Sequence, residues 1–410
     1  MSLSSRPASL SRRPNCRLCD SPVEHTLRLP DTPLANELTS FTDDPVELFP
    51  LELKRCVACR HVQLGHVVSP ERLYGHYSYA TGVSESFRKH FFEYASTLSS
   101  IVPPGGLVVE IGSNDGTLLR EFKDRGYSVH GIEPSSALAW KAISKNLVPT
   151  FPMFFTSTYA RTLACRSEQA DCVIANNVLA HIDDLDDVMH GVSILLKPGG
   201  LFVFEVQYLG DMLKHGLFDM IYHEHLDYHH LTPLVPFLAR HDLDLYDVER
   251  VPTHGGSIRC FARKVGPSGL CGQASRAREM LAEEAAIPPD ALSLGMRVAI
   301  AVAIARDCFK FLNLPGRIAG YGAPAKLTTL AYACGIDGLQ YVVDDNPMKQ
   351  GKYTPGKHWP IVPSSRLAED PVDYLVLFAW NVAEECMKRA RAAGFRGKFV
   401  IPLPVPTIVE

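Results

Sequence analysis

The chain has 410 residues, 46% of them hydrophobic and 21% charged, enough for two or three packed domains of ordinary size. Its formal net charge is -4, with acids and bases mixed along the chain, which argues against nucleic acid or an anionic membrane as partner and leaves small molecules. No apolar run approaches the ~20 residues that cross a bilayer, and the polar start has no apolar stretch before a cleavage site, so no membrane is expected and the cytoplasm is the expected compartment.

Residues 1–14 read as a disordered polar tail. Residues 15–70 are rich in Pro and Cys and lack long helical periodicity, which predicts short strands and turns held by something other than a large core. The two pairs Cys16-Arg-Leu-Cys19 and Cys56-Val-Ala-Cys59 supply it, because four thiolates at that spacing close a tetrahedral shell around zinc. With all four positions filled by sulfur, such a zinc is structural. The competing reading is four reduced cysteines packed as small hydrophobes, the reading that suits the seven scattered cysteines elsewhere.

From Leu73 to about Ser99, Phe87, Phe91 and Phe92 at helical spacing predict a helical lead-in, which puts the start of the next domain at residue 71. Strand-like runs at Leu107 to Ile111, Ser128 to Ile132, Cys172 to Ala175 and Leu201 to Val206 then alternate with helical ones up to residue 265, an α/β pattern that predicts a doubly wound parallel sheet. From about Ala274 to Ala305 one long helix is expected. It leads into Arg317-Ile-Ala-Gly-Tyr-Gly, a strand running into a glycine turn, with further strands at Gln340 to Val343 and Tyr374 to Phe378. Residues 266–410 therefore read as a smaller, Rossmann-like α/β domain.

The first strand of the central sheet runs into Glu110-Ile-Gly112-Ser113-Asn114-Asp115-Gly116, and its glycines allow a tight turn and close approach of a ligand to a helix N-terminus. Glu133, at the end of the next strand, offers a carboxylate to the two hydroxyls of a ribose. The pattern Glu-x-Gly-x-x-x-Gly departs from the Gly-x-Gly-x-x-Gly of dinucleotide enzymes. Asp171-Cys-Val-Ile-Ala-Asn176-Asn177 ends a further strand in polar side chains. The order is that of a class I methyltransferase domain binding S-adenosylmethionine, with Glu110, Gly112, Ser113, Asn114, Asp115, Gly116, Glu133, Asn176 and Asn177 as candidate cofactor contacts.

A third constellation is Tyr222-His223-Glu224-His225, followed by Asp227, Tyr228, His229 and His230. A histidine titrating near neutrality suits removal of a weakly acidic carbon-bound proton; the alternative is a cluster of core histidines. Tyr77, Tyr79, His181 and His254-Gly-Gly-Ser257 add polar groups that together make a pocket.

These strings, in this order, resemble the C-methyltransferases of deoxysugar biosynthesis, which methylate carbon 3 of a nucleotide-linked 4-keto-deoxysugar. The resemblance spans nearly the whole chain after residue 14 and includes Asn177-Val-Leu-Ala-His181, Gly320-Tyr-Gly-Ala-Pro-Ala-Lys326 and the stretch from Asp344 to Gly356. It implies that His225 is the base, that Glu224, Tyr222, His181 and one of Tyr77 or Tyr79, with Tyr79 favoured, line the reacting sugar, and that Gly320, Gly322, Pro324, Lys326 and Asn346 of the C-terminal domain help to enclose the nucleotide. The chain departs from the family at Leu226-Asp-Tyr-His-His230, where a more aromatic stretch is expected, and at Leu327. A monomer or homodimer is expected. The rival readings are an NAD-dependent oxidoreductase or isomerase of nucleotide sugars and a non-catalytic nucleotide-sugar binding protein.

Overall fold

A computed structural model describes residues 10–74, 85–166, 169–266, 269, 272–312 and 314–410. The N-terminal part holds the strands β1 (Leu10–Arg12), β2 (Val23–Thr32), β3 (Phe49–Cys56), β4 (Val62–Leu64) and β5 (His66–Val68), then the short helix α1 (Pro70–Tyr74) and the lead-in helix α2 (Glu85–Ser99). Within the stretch expected to be a disordered tail, Leu10–Arg12 pairs antiparallel with His66–Val68, each backbone finding ladder partners in the other.

The central sheet is built from β6 (Leu107–Ile111), β7 (Ser128–Ile132), β8 (Thr150–Phe151), β9 (Ala170–Asn176) and β10 (Leu196–Gln207). Outside it lies the two-residue strand β11 (Asp227–Tyr228), and the central sheet is completed by β12 (Leu243–Val251) and β13 (Ser257–Lys264). Its order is β12-β13-β10-β9-β6-β7-β8, parallel except at β13, which runs antiparallel to both its neighbours. The strands read as near-continuous apolar runs because helices cover both faces. On one face α2 and α3 (Thr117–Asp124) bury Phe91, Tyr94, Leu119 and Phe122 against Val108, Ile174 and Val203. After α4 (Ser136–Asn146), the other face packs Val109, Val173, Phe202 and Phe204 under α5 (Ser157–Cys165) and α6 (Leu185–Leu195).

Beyond α7 (Leu209–His215) and α8 (Leu231–Ala239), the single helix expected from 274 to 305 is two, α9 (Ser275–Glu284) and α10 (Ala291–Leu312). Pro288 and Pro289 lie between them. Proline fixes its own φ, has no N–H to donate, and pushes the preceding residue out of helical geometry. The chain restarts at Asp290, whose carboxylate accepts from the Ser293 N–H at 2.7 Å.

The C-terminal sheet comprises β14 (Ile318–Tyr321), β15 (Val342–Val343), β16 (Ile361–Val362), β17 (Tyr374–Leu377), β18 (Lys398–Ile401) and β19 (Thr407–Val409), ordered β16-β15-β14-β17-β18-β19. The helices α11 (Lys326–Cys334), α12 (Arg366–Glu369) and α13 (Ala383–Ala392) connect its strands. All its pairings are parallel except that of β19. One apolar cluster joins Leu51 and Leu64 of the N-terminal sheet, Phe218 and Leu226 of the central unit, and Leu327 and Phe378 of the C-terminal unit, so the three share a core. Among the described residues no helix is long and apolar enough to cross a membrane. Cys172, Cys260, Cys334 and Cys386 are buried as small core residues, Cys308 is half-buried, Cys165 at a helix end is exposed against expectation, and Cys271 lies outside the described residues.

The turn after β6 uses positive φ at Gly112 (68°), Asn114 (50°) and Gly116 (74°). A methyl on Gly116 would stand 2.9 Å from the Ala142 side chain. Gly116→Ala is expected to destabilise the central unit by about 1–2 kcal/mol from the left-handed backbone alone, with the contact to Ala142 adding to it; a thermal unfolding midpoint equal to that of the parent would contradict this account of the turn.

Candidate active site and zinc centre

Each Cys-x-x-Cys pair closes a turn whose next residue is left-handed, Asp20 (φ 58°) after Cys19 and Arg60 (φ 69°) after Cys59. That conformation curls the backbone so that amides face sulfur. The Leu18 N–H donates to Cys16 Sγ at 3.4 Å, and those of Ala58 and Cys59 to Cys56 Sγ at 3.4 Å. The four sulfurs lie within 4.8 Å of one another, with Cys16 to Cys59 at 3.5 Å and Cys19 to Cys56 at 3.4 Å. Sulfurs at the usual ~2.3 Å from a zinc ion sit ~3.8 Å apart in a tetrahedron, a spacing close to that of this set. Donation from Cys59 pulls the Cys16 thiol down to about 5.

At the carboxyl edge of the central sheet, Glu133 is buried. Its two oxygens accept from the backbone N–H groups of Asn114 (2.9 Å) and Ser135 (2.8 Å), which fix the carboxylate plane and leave its remaining lone pairs for another donor. Glu110 receives Asn176 Nδ2 on Oε1 at 3.4 Å. Its Oε2, Ser113 Oγ and Asn176 Oδ1 are buried without a partner among the described residues. Burial pushes the Glu110 carboxyl well above the carboxylate range. Buried polar atoms left over at one strand edge fit a polar cofactor such as S-adenosylmethionine. Asp115 is engaged otherwise, accepting from Thr117 Oγ1 (2.6 Å) and Lys141 Nζ (2.8 Å), so it shapes the loop. Asn177 adopts φ 53° and donates its N–H to Glu205 O at 2.8 Å.

The Tyr-His-Glu-His segment separates into distinct environments. His225 Nδ1 lies 2.9 Å from the Met220 carbonyl, which can only accept, so Nδ1 carries the proton and Nε2 presents its lone pair to Tyr222 Oη at 2.7 Å. The His181 ring packs edge-on to that of His225 at 5.0 Å between centroids. His181 Nδ1 in turn meets Tyr74 Oη at 3.0 Å, whereas the expected Tyr77 and Tyr79 lie outside the described residues. His223, His229 and His230 are core histidines, held neutral by burial at about 4, about 4 and about 3. Tyr222, His225 and His181 are the members of the cluster whose side chains are brought together.

Glu224 faces elsewhere. Its Oε1 accepts from Asn36 Nδ2 at 2.7 Å, and Lys349 of the C-terminal unit acts on it electrostatically. Lys349 Nζ donates to the Ala323 carbonyl at 2.8 Å, inside the glycine turn after β14, where Gly322 takes φ 84°. Lys326 is buried beside Trp380, with Nζ 4.3 Å from the ring centroid and 2.5 Å from Asn381 Oδ1, while Asn346 donates its N–H to Asp344 Oδ1 at 2.9 Å.

Burial raises Glu224 from 4.5 to about 7. A group raised on folding contributes stability that is full below its unfolded value and lost as pH rises through the folded one. Glu224→Gln keeps an acceptor for Asn36, so the variant is expected to be more stable than the parent at pH 8, by at most about 3 kcal/mol, and the advantage should fade towards pH 5. Parallel denaturation profiles of the two proteins across that range would contradict it.

Residues 83–248 match a family described as methyltransferase domain, residues 252–404 one described as C-methyltransferase C-terminal domain, and residues 16–74 a zinc binding domain. The chain is 35% identical to the C-methyltransferase NovU of Streptomyces niveus over 96% of both chains. It is 32% identical to the uncharacterized methyltransferase GK2543 of Geobacillus kaustophilus, over 30% of this chain and 57% of that one. Among solved structures, magnesium protoporphyrin IX methyltransferase (ChlM) of Synechocystis PCC 6803 with bound SAH aligns with a TM-score of 0.35 at 18% identity, covering 43% of this chain and 83% of that one. With a relative matched end to end and all three of its parts recognised, the chain belongs to the C-methyltransferase family, as an enzyme that depends on S-adenosylmethionine and carries a zinc-binding domain.

Proposed function

We propose that the enzyme methylates carbon 3 of a nucleotide-linked 4-keto-deoxysugar in the cytoplasm, with His225 as the base. The observation that carries this reading is the tautomer of His225: Nδ1–H is spent on the Met220 carbonyl, so Nε2 is a lone pair hydrogen-bonded to Tyr222. A 4-keto group acidifies the neighbouring C–H bond. When the keto oxygen takes the Tyr222 O–H as its donor, Nε2 is released to accept the carbon 3 proton, and the C–H electron pair becomes the enolate that Tyr222 stabilises. His181, packed edge-on to His225, and Tyr79 line the acceptor in this reading, while Glu224 is turned to Asn36. S-adenosylmethionine, when bound, supplies an electrophilic methyl whose leaving group is a neutral thioether. Carbon 3 would take that methyl, the carbon–carbon bond forming as the sulfur–methyl bond breaks.

Glu133 would hold the ribose hydroxyls of the cofactor, Gly112, Ser113, Asn114 and Gly116 its close approach to the turn, and Glu110, Asn176 and Asn177 its methionine end, with Asp115 supporting the loop. Cys16, Cys19, Cys56 and Cys59 would hold the zinc, outside the chemistry. The glycine turn Gly320 to Lys326 and Asn346 would close over the nucleotide, in a division into zinc, methyl-transfer and C-terminal domains at 15–70, 71–265 and 266–410.

The test uses a panel of nucleotide-linked 4-keto-6-deoxyhexoses with S-adenosylmethionine in deuterium oxide, read by mass. The parent should add one methyl to a panel member and exchange the acidic proton. His225→Gln should lose both by about 10²- to 10⁴-fold while still binding S-adenosylhomocysteine. Undiminished exchange and methylation in that variant would rule out His225 as the base.

A further inference from the structure

Arg17 sits between the first two cysteines of the zinc knuckle, yet its side chain is fully buried and points away from the sulfurs. Its Nε donates to Asp183 Oδ1 at 2.9 Å, and Nη1 donates to the carbonyls of Leu226 and Leu64, both at 3.2 Å, lying also 3.8 Å from Asp227 Oδ1. Asp183 is two residues past His181, and Leu226 directly follows His225. One guanidinium therefore binds both segments that carry the histidine pair.

The second knuckle reaches the same place. The Cys56 N–H donates to the His61 carbonyl at 2.8 Å, and His61 Nε2 lies 2.7 Å from Asp227 Oδ1, both side chains fully buried. The two segments also meet directly, the Leu226 N–H donating to the Ala180 carbonyl at 2.7 Å. A buried guanidinium spent on a carboxylate and two carbonyls of a partner surface is costly unless its geometry matters, and the planar fork fixes directions that a lysine ammonium cannot.

We infer that Arg17 is a positioning residue, which sets the separation of the His181 and His225 segments and makes the zinc knuckle part of the framework of the acceptor site. The inference rests on the reading of His225 and His181 as acceptor-site groups. Arg17→Met keeps the side-chain length and removes the fork.

With the 4-keto-6-deoxyhexose panel, zinc-loaded Arg17→Met should lose kcat by about 10- to 100-fold and keep its KM for S-adenosylmethionine within roughly threefold. Arg17→Lys should recover part of the loss. The imidazole nitrogen resonances of His225, assigned by their absence in His225→Gln, should shift in Arg17→Met. A zinc-loaded Arg17→Met with parental kcat or unshifted His225 resonances overturns the inference. Should that variant fail to fold or to retain zinc, Asp183→Asn decides, since Asp183 is about a third exposed (32%) and lies outside the knuckle. A reduced kcat with shifted His225 resonances supports the inference, and parental values overturn it. The resonances separate the two claims: a fully active His225→Gln defeats the base assignment, while the shift in Arg17→Met still reports on the coupling.

Discussion

The backbone of Leu226 is the point on which the proposed acceptor site depends. From Phe218 to His229 the chain has little regular structure of its own, only a turn at Phe218–Met220 and two residues of β11, so its shape is imposed by its surroundings. The Leu226 N–H is taken by Ala180, beside His181, and its carbonyl by the Leu64 N–H at 2.8 Å and by Arg17. The backbone of one residue thus ties the histidine after the fourth parallel strand to the histidine of the Tyr-His-Glu-His segment and both to the zinc-bearing sheet. That sheet incorporates β11 as its edge strand, Asp227 opposite Gln63 and Tyr228 opposite Val62. Backbone pairing of this kind holds a loop more firmly than side-chain contacts alone, because a slip of one residue would turn every side chain to the wrong face.

The cofactor edge follows a different logic. Glu205 is fully buried, which alone would push its carboxyl up, but the hydrogen bond from His90 and the charge of Arg259 outweigh the burial and hold it down. Glu205 and Arg259 are directly opposite across β10 and β13, an antiparallel pair within the sheet. His90 belongs to α2, so the same carboxylate anchors the lead-in helix to the sheet. Glu110, one strand beyond Asn176, has no cation beside it among the described residues, and burial raises it. Two buried carboxylates, on β6 and β10 of the same sheet, thus shift in opposite directions because their partners differ.

Much of this was legible in sequence, for reasons of range. The cysteine pairs, the glycine turn after β6, Glu133 and the apolar strands are local patterns, and the structure has the turn and the strands where the periodicity puts them. The break at Pro288-Pro289 was equally local, and the alanine-rich helical pattern on either side masked it. The roles of Arg17, Asn36 and Tyr74 were not legible: their partners Asp183, Glu224 and His181 lie 166, 188 and 107 residues away. No spacing rule spans such distances. The histidine cluster shows the limit most clearly, since four histidines within eight residues look alike in sequence, and only packing divides three neutral core rings from the one whose Nε2 meets a tyrosine hydroxyl.

The central claim is that the methyl donor at the sheet edge faces an acceptor site framed by His181, Tyr222 and His225. A crystal structure of the enzyme with S-adenosylhomocysteine tests it most directly. The account predicts the ribose hydroxyls on Glu133 and the homocysteine sulfur turned towards that trio; a cofactor seated on the same sheet with its sulfur directed away from His225 would contradict it.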